Sequence, residues 1–167
     1  MAHRAHSLDI TANAVVVVVV RDVRGRHETL LVRRAKEPLA GRWLYVSGGI
    51  EAGETATETA IRELREETGL TAVRLFSANV AETFYATTLD TVCLFPAFVA
   101  FVSADAEVRL DHEADDFQWL GFDDAMAAVP TTNPRVVLRR IQQDFLAYEL
   151  DPWFELDPRT GKPLRWA

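Results

Sequence analysis

Residues 14–20 form an unbroken apolar run of one alanine and six valines, flanked by Asn13 and Arg21. β-Branched residues without alternation read as a strand buried on both faces, and the pattern predicts one over 12–21. Polar residues 23–28 around Gly25 predict a turn, with the returning strand at 29–34. A loop at 37–42, carrying Pro38 and Gly41, leads to a short strand at 43–46 and a glycine loop at 47–53. Thr55 and Glu58 form a capping-box pattern, and Gly69 directly follows Thr68, so a helix is predicted over 55–68. At roughly 100° per residue, Ala60, Ile61, Leu64 and Thr68 share the stripe that faces a core. One or two strands are expected at 73–83, a long one at 91–103 and a short one at 117–120, with an acidic loop at 104–115. Asp123 is the expected cap of a helix ending near 129. Asn133 followed by Pro134 reads as an N-cap and first helical position, and Val137, Leu138, Ile141, Phe145 and Tyr148 repeat at helical spacing, predicting a last helix over 134–149. Residues 1–11 read as a loose segment.

A strand-rich body with one central and one terminal helix predicts an α/β class, a sandwich with a mixed sheet. The expected organisation is one domain over 1–150 and an extended tail over 151–167, rich in proline. Trp153, Phe154 and Trp166 imply that the tail packs on the domain or on a second subunit, so a homodimer is one assembly it allows.

Charge changes the picture only in part. A net charge of −7 and the lack of a basic patch argue against nucleic acid, RNA caps included, and against an anionic membrane as main partner. A phosphate substrate stays open, because a bound cation reverses the local sign. The single Cys93 lies in an apolar stretch, reads as buried and inert, and allows no disulfide within the chain, consistent with a cytoplasmic location. The run at 14–20 is far short of the ~18 residues that span a bilayer and begins too deep for a signal peptide.

The chemistry concentrates at Gly48-x5-Glu54-x7-Arg62-Glu63-Leu64-x-Glu66-Glu67-x-Gly69-Leu70. Glu63, Glu66 and Glu67 fall on one stripe of the predicted helix, where like charges repel by roughly 0.2–0.5 kcal/mol per pair. They also lie near the helix C-terminus, where the macrodipole disfavours anions. A solvated acidic face explains three glutamates, but not the fixed spacing to Glu54, the glycines and Arg62. A cation explains all of them, and hard oxygen donors favour Mg2+ or Mn2+. Gly48, Gly49 and Gly53 let the backbone turn tightly and approach metal and phosphate.

The pattern resembles the Nudix box, the signature of hydrolases that cut diphosphate linkages in compounds built as a nucleoside diphosphate joined to a group X. The motif spans residues 48–70, and the order of elements agrees over about 12–149, which implies the Nudix-type α/β/α sandwich. The resemblance implies that Glu63, Glu66, Glu67 and the backbone carbonyl of Ser47 hold metal and that Arg62 orients the carboxylates. Glu67, or a glutamate on a later loop, is then the base that activates water. Glu113 is the best such loop residue, in competition with Asp111, Asp115 and Asp116. Glu54 reads as a structural partner, with metal contact the lesser alternative. Val46-Ser47-Gly48 departs from the commoner Pro-Gly form. Together with His112-Glu113, Trp119-Leu120 and Asn133 it resembles the bacterial dihydroneopterin triphosphate and dNTP pyrophosphohydrolases.

Other residues are open to two readings. Arg33 and Arg34 suit bidentate phosphate contacts, but adjacent strand residues face opposite ways, so at most one reaches the substrate directly. Trp43, Phe84 and Tyr85 either stack on a flat ring or pack, and packing is preferred. His112 reads as a phosphate contact or a surface residue, and Glu82 as a surface residue at a strand end rather than a cleft residue. The expected activity is metal-dependent hydrolysis of a small nucleoside diphosphate or triphosphate type of substrate, a triphosphate giving monophosphate and pyrophosphate. Nucleotide sugars, ADP-ribose or dinucleoside polyphosphates are the alternative within enzymes, and a catalytically silent nucleotide sensor the alternative outside them.

Overall fold

The computed structural model describes residues 7–165. Among them, nine strands form one mixed sheet: β1 (Asp9–Thr11), β2 (Ala14–Val23), β3 (Arg26–Arg34), β4 (Trp43–Leu44), β5 (Val46–Gly49), β6 (Arg74–Ala86), β7 (Thr91–Phe101), β8 (Ala114–Gly121) and β9 (Glu155–Leu156). Three α-helices accompany it: α1 (Ala56–Thr68), α2 (Phe122–Ala128) and α3 (Thr132–Arg140).

The valine run is the sheet's central strand. One edge of β2 pairs in parallel with β7, from Val16 opposite Ala97 to Val20 opposite Phe101. Its other edge pairs first with β5, Val17 opposite Val46, and then with β3, Val20 opposite Thr29. Alternate valines therefore serve two cores. Val15, Val17 and Val19 pack with Ala60 and Leu64 of α1. Val16, Val18 and Val20 pack with Phe122, Val137, Leu138 and Ile141. Each buried valine contributes about 1.5–3 kcal/mol relative to exposure. Helices on both faces make the α/β/α sandwich with a mixed sheet that the sequence predicts.

Several boundaries differ from expectation. Part of the loose N-terminal segment is β1, which pairs in parallel with the start of β7; residues 1–6 lie outside the described residues. β8 begins inside the acidic loop, because the ladder with β3 extends to Arg34 opposite Ala114, and an edge strand tolerates charged side chains. Asp123 does not cap α2; Gly121 precedes the helix and no side chain caps it. Thr131, not Asn133, occupies the N-cap of α3, and Asn133 and Pro134 lie in its first turn. That helix ends at Arg140 and widens into a π turn over Ile141–Phe145, which keeps Phe145 edge-on to Phe76 at 5.6 Å between ring centres. Tyr148 lies beyond it and is exposed. The tail is not uniformly extended: Asp151 caps a single 3-10 turn over Pro152–Phe154, and β9 then adds to the outer edge of β6. Trp166 lies outside the described residues. Among the described residues no helix is long and apolar enough to cross a membrane.

Candidate active site

Local signals place α1. Thr55 accepts from the Glu58 backbone N–H while Glu58 accepts from the Thr55 N–H at 2.8 Å, and Gly69 closes the helix at φ 68°. Ala60, Leu64 and Thr68 are buried against the sheet, which turns the neighbouring glutamate stripe toward the end of β5. A Cβ built at Gly48 would overlap the Glu63 carboxyl group, so glycine is what lets strand and carboxylate meet.

Arg62 ties this face together. Its guanidinium donates to both oxygens of Glu54, at 2.8 and 2.9 Å, to Glu63 at 2.7 Å, to Glu66 at 2.9 Å and to the Gly49 carbonyl at 2.9 Å. The fork on Glu54 matches the bidentate geometry that arginine favours. It holds the Glu54 carboxyl down at about 2, with help from the Thr59 hydroxyl and the Glu51 N–H. Glu54 therefore anchors Arg62, and the link is far more than a surface pair between Arg62 and Glu66.

Glu67 is only 3% exposed. Burial pushes its carboxyl up to about 8; the N–H of Ser47, donating at 3.3 Å, opposes this, and the charges of Glu63 and Glu113 add to it. Burial also raises Glu63, against its hydrogen bond with Arg62. The loop carrying Glu113 is held on α1 by its own backbone: Arg109 N–H donates to the Thr68 carbonyl and Asp111 N–H to that of Glu67. Asp111 accepts from the Glu113 N–H at 2.8 Å. A groove of about 700 Å³ results, lined by Glu63, Glu66, Glu67, Asp111, His112 and Glu113. The backbone clamp left no mark in the side-chain pattern. Asp115 and Asp116 do not compete with Glu113, because both turn to Arg33, Asp115 at 2.7 Å.

A second cleft, of about 600 Å³, adjoins the groove, and Gly49 and Glu113 line both. Arg34, Ser47, Gly48, Phe84 and Tyr85 line it, while Arg33 and Trp43 do not; Arg33 lies over the Trp43 ring at 5.8 Å. Glu82, expected at the surface, also lines the cleft and accepts from the buried Tyr45 hydroxyl at 2.9 Å. Tyr45 carried no sequence signal beyond one hydroxyl in an apolar stretch.

The donor set fits a hard divalent cation: Glu63, Glu66, Glu67, Asp111 and Glu113 bring carboxylate oxygens to the groove, with Arg62 among them. Among the described residues no three acidic or histidine side chains already close on one point, since Arg62 holds Glu63 and Glu66 and Ser47 holds Glu67.

The NUDIX domain model matches residues 11–141. The chain is 34% identical over 128 residues to an octanoyltransferase of Myxococcus xanthus, covering 75% of this chain and 35% of that protein. It is 31% identical over 106 residues to the asymmetrical bis(5'-nucleosyl)-tetraphosphatase of Sus scrofa, covering 60% and 70%. The chain spans about a third of the length of the first curated relatives it matches. Its fold superposes on the Ap4A hydrolase of C. elegans with a TM-score of 0.71 at 23% identity, covering 83% of this chain and 100% of that one. With the family model covering most of the chain and the box residues gathered at one groove, this protein belongs to the NUDIX domain family.

Proposed function

We propose that the protein is a divalent-cation-dependent pyrophosphohydrolase acting on a nucleoside triphosphate or a related triphosphate. The observation that carries this reading is the junction, through Gly49 and Glu113, of a carboxylate groove with a cleft lined by Phe84 and Phe95. A substrate with a flat ring at one end and phosphates at the other matches both.

Glu63, Glu66, Glu67 and the Ser47 carbonyl would hold Mg2+ or Mn2+, which when bound lowers the pKa of water and neutralises phosphate charge. Arg62 positions Glu63 and Glu66 through the hydrogen bonds described above. Glu67 or Glu113 accepts the proton of the attacking water. Arg34 offers its guanidinium to the phosphates from the cleft wall. Water adds to a phosphorus of the α–β linkage as its bond to the α–β bridging oxygen breaks, so a triphosphate gives a monophosphate and pyrophosphate.

The similarity to a bis(5'-nucleosyl)-tetraphosphatase supports a second reading, in which the leaving group is a second nucleotide that keeps its phosphates. A panel of NTPs, dNTPs, dihydroneopterin triphosphate, ADP-ribose, nucleotide sugars and diadenosine polyphosphates separates the two. Direct pyrophosphate release from triphosphates is the expected result. Turnover confined to diadenosine polyphosphates would favour the second reading, turnover confined to ADP-ribose or nucleotide sugars would replace both with cleavage of a capped diphosphate, and no turnover with either metal would favour a silent sensor.

A further inference from the structure

The cleft contains a carboxylate that hydrolysis does not use. Glu82 lies on β6 opposite Phe95 of β7 and is fixed by the hydroxyl of Tyr45, itself 3% exposed. Among the described residues no other hydrogen bond and no ion pair is made by the Glu82 carboxylate. Burial holds its carboxyl above the usual range, with the Tyr45 hydrogen bond opposing. Phe95 and Phe84 stand on the same side of the sheet as Glu82, edge to face at 5.3 Å between ring centres. A carboxylate placed among aromatic rings is costly unless donors satisfy it. A flat ring entering the cleft beside these walls would turn an edge toward Glu82, while Gly49 and Glu113 mark the side shared with the groove.

We infer that the cleft selects a guanine-type ring, guanine itself or a pterin, whose ring N–H and neighbouring amino group both donate to Glu82. Two adjacent donors match the remaining lone pairs of a carboxylate. Adenine offers one donor beside an acceptor, and uracil one donor between two acceptors, so each sets a lone pair against the carboxylate. Hypoxanthine keeps the ring N–H and lacks the amino group. The inference rests on the proposed hydrolase reading for the orientation of the phosphates, but ring choice is a separate property of the cleft.

The test compares kcat/KM for GTP, dihydroneopterin triphosphate, ITP, ATP and UTP above neutral pH, in the wild-type chain and in Glu82→Gln. A carboxamide replaces one acceptor by a donor. The wild type is expected to prefer GTP or dihydroneopterin triphosphate over ATP by about 10- to 100-fold, as for a hydrogen bond to a charged group, with ITP between them. Glu82→Gln should lower the guanine-to-adenine ratio by about tenfold or more. The better of GTP and the pterin compound identifies the source of the ring. Equal kcat/KM for GTP and ATP, or a ratio unchanged by Glu82→Gln, overturns the inference. Calorimetric titration with guanosine, neopterin and adenosine, without metal, decides the ring even if no triphosphate is cleaved. Tighter binding of guanosine or neopterin upholds the inference while the hydrolase reading fails, and equal binding overturns it. If Glu82→Gln does not fold, Tyr45→Phe releases the anchor of Glu82 and should narrow the same ratio; an unchanged ratio counts against the inference.

Discussion

Glu54 and Glu82 stand at two ends of the site, and their surroundings push them in opposite directions. Arg62 holds the Glu54 carboxyl at about 2, below its unfolded value. Its contribution to stability is therefore present above the ordinary carboxylate range and lost as pH falls toward 2. Burial raises Glu82, so its contribution is present below the ordinary range and lost as pH rises through the raised value. Urea denaturation of metal-free protein across pH should show both limbs. Glu54→Gln is expected to flatten the acid limb, and Glu82→Gln to reduce the limb toward neutral pH, which the raised carboxyls of Glu63 and Glu67 share. Variant curves running parallel to the wild type would contradict both assignments.

At the scale of elements, the site depends on how closely β5 approaches α1. Gly48→Ala places a methyl group against Glu63. Because the overlap is with the end of a flexible side chain, the fold should tolerate it, while displacing a carboxylate from the place proposed for a metal ligand should cost roughly 10²-fold in kcat. Circular dichroism and turnover measured on the same sample check this; full activity in a folded variant would remove Glu63 from the site. This region was also the most legible in the sequence. Thr55, Glu58 and Gly69 act within three residues of the helix ends, so α1 was readable to within a residue. Glu82 was not, because its orientation depends on register. The β6–β7 ladder shifts between Ser77 and Ala81, and Asn79 takes a positive φ of 52°. A bulge resets which side chains face which side, and nothing local to Glu82 marks it. The turning of Asp115 and Asp116 to Arg33 depends likewise on a long-range pairing of β8 with β3.

For the whole molecule, two helical layers fix the sheet between them, and the tail locks its outer edge. Leu156 is buried with the α1-side core, and Phe154 packs against the opposite one. Gly161 passes close to Thr57 at the start of α1, and Arg74 forms a two-point contact with Glu155 at 2.7 and 3.1 Å. Deleting residues 151–167 should lower unfolding stability by roughly 2–5 kcal/mol from Leu156 alone; an unchanged urea midpoint would show that the tail adds nothing to the fold. Whether the carboxylate groove performs metal-dependent hydrolysis is decided by one assay. The fastest substrate of the panel is turned over by wild-type protein and by Glu67→Gln, with Mg2+, after chelation, and after Mg2+ is restored. Activity should vanish on chelation and return with metal, and Glu67→Gln should lose about 10²–10⁴-fold. Turnover that survives chelation, or that is unchanged in Glu67→Gln, would contradict metal-dependent hydrolysis at the groove.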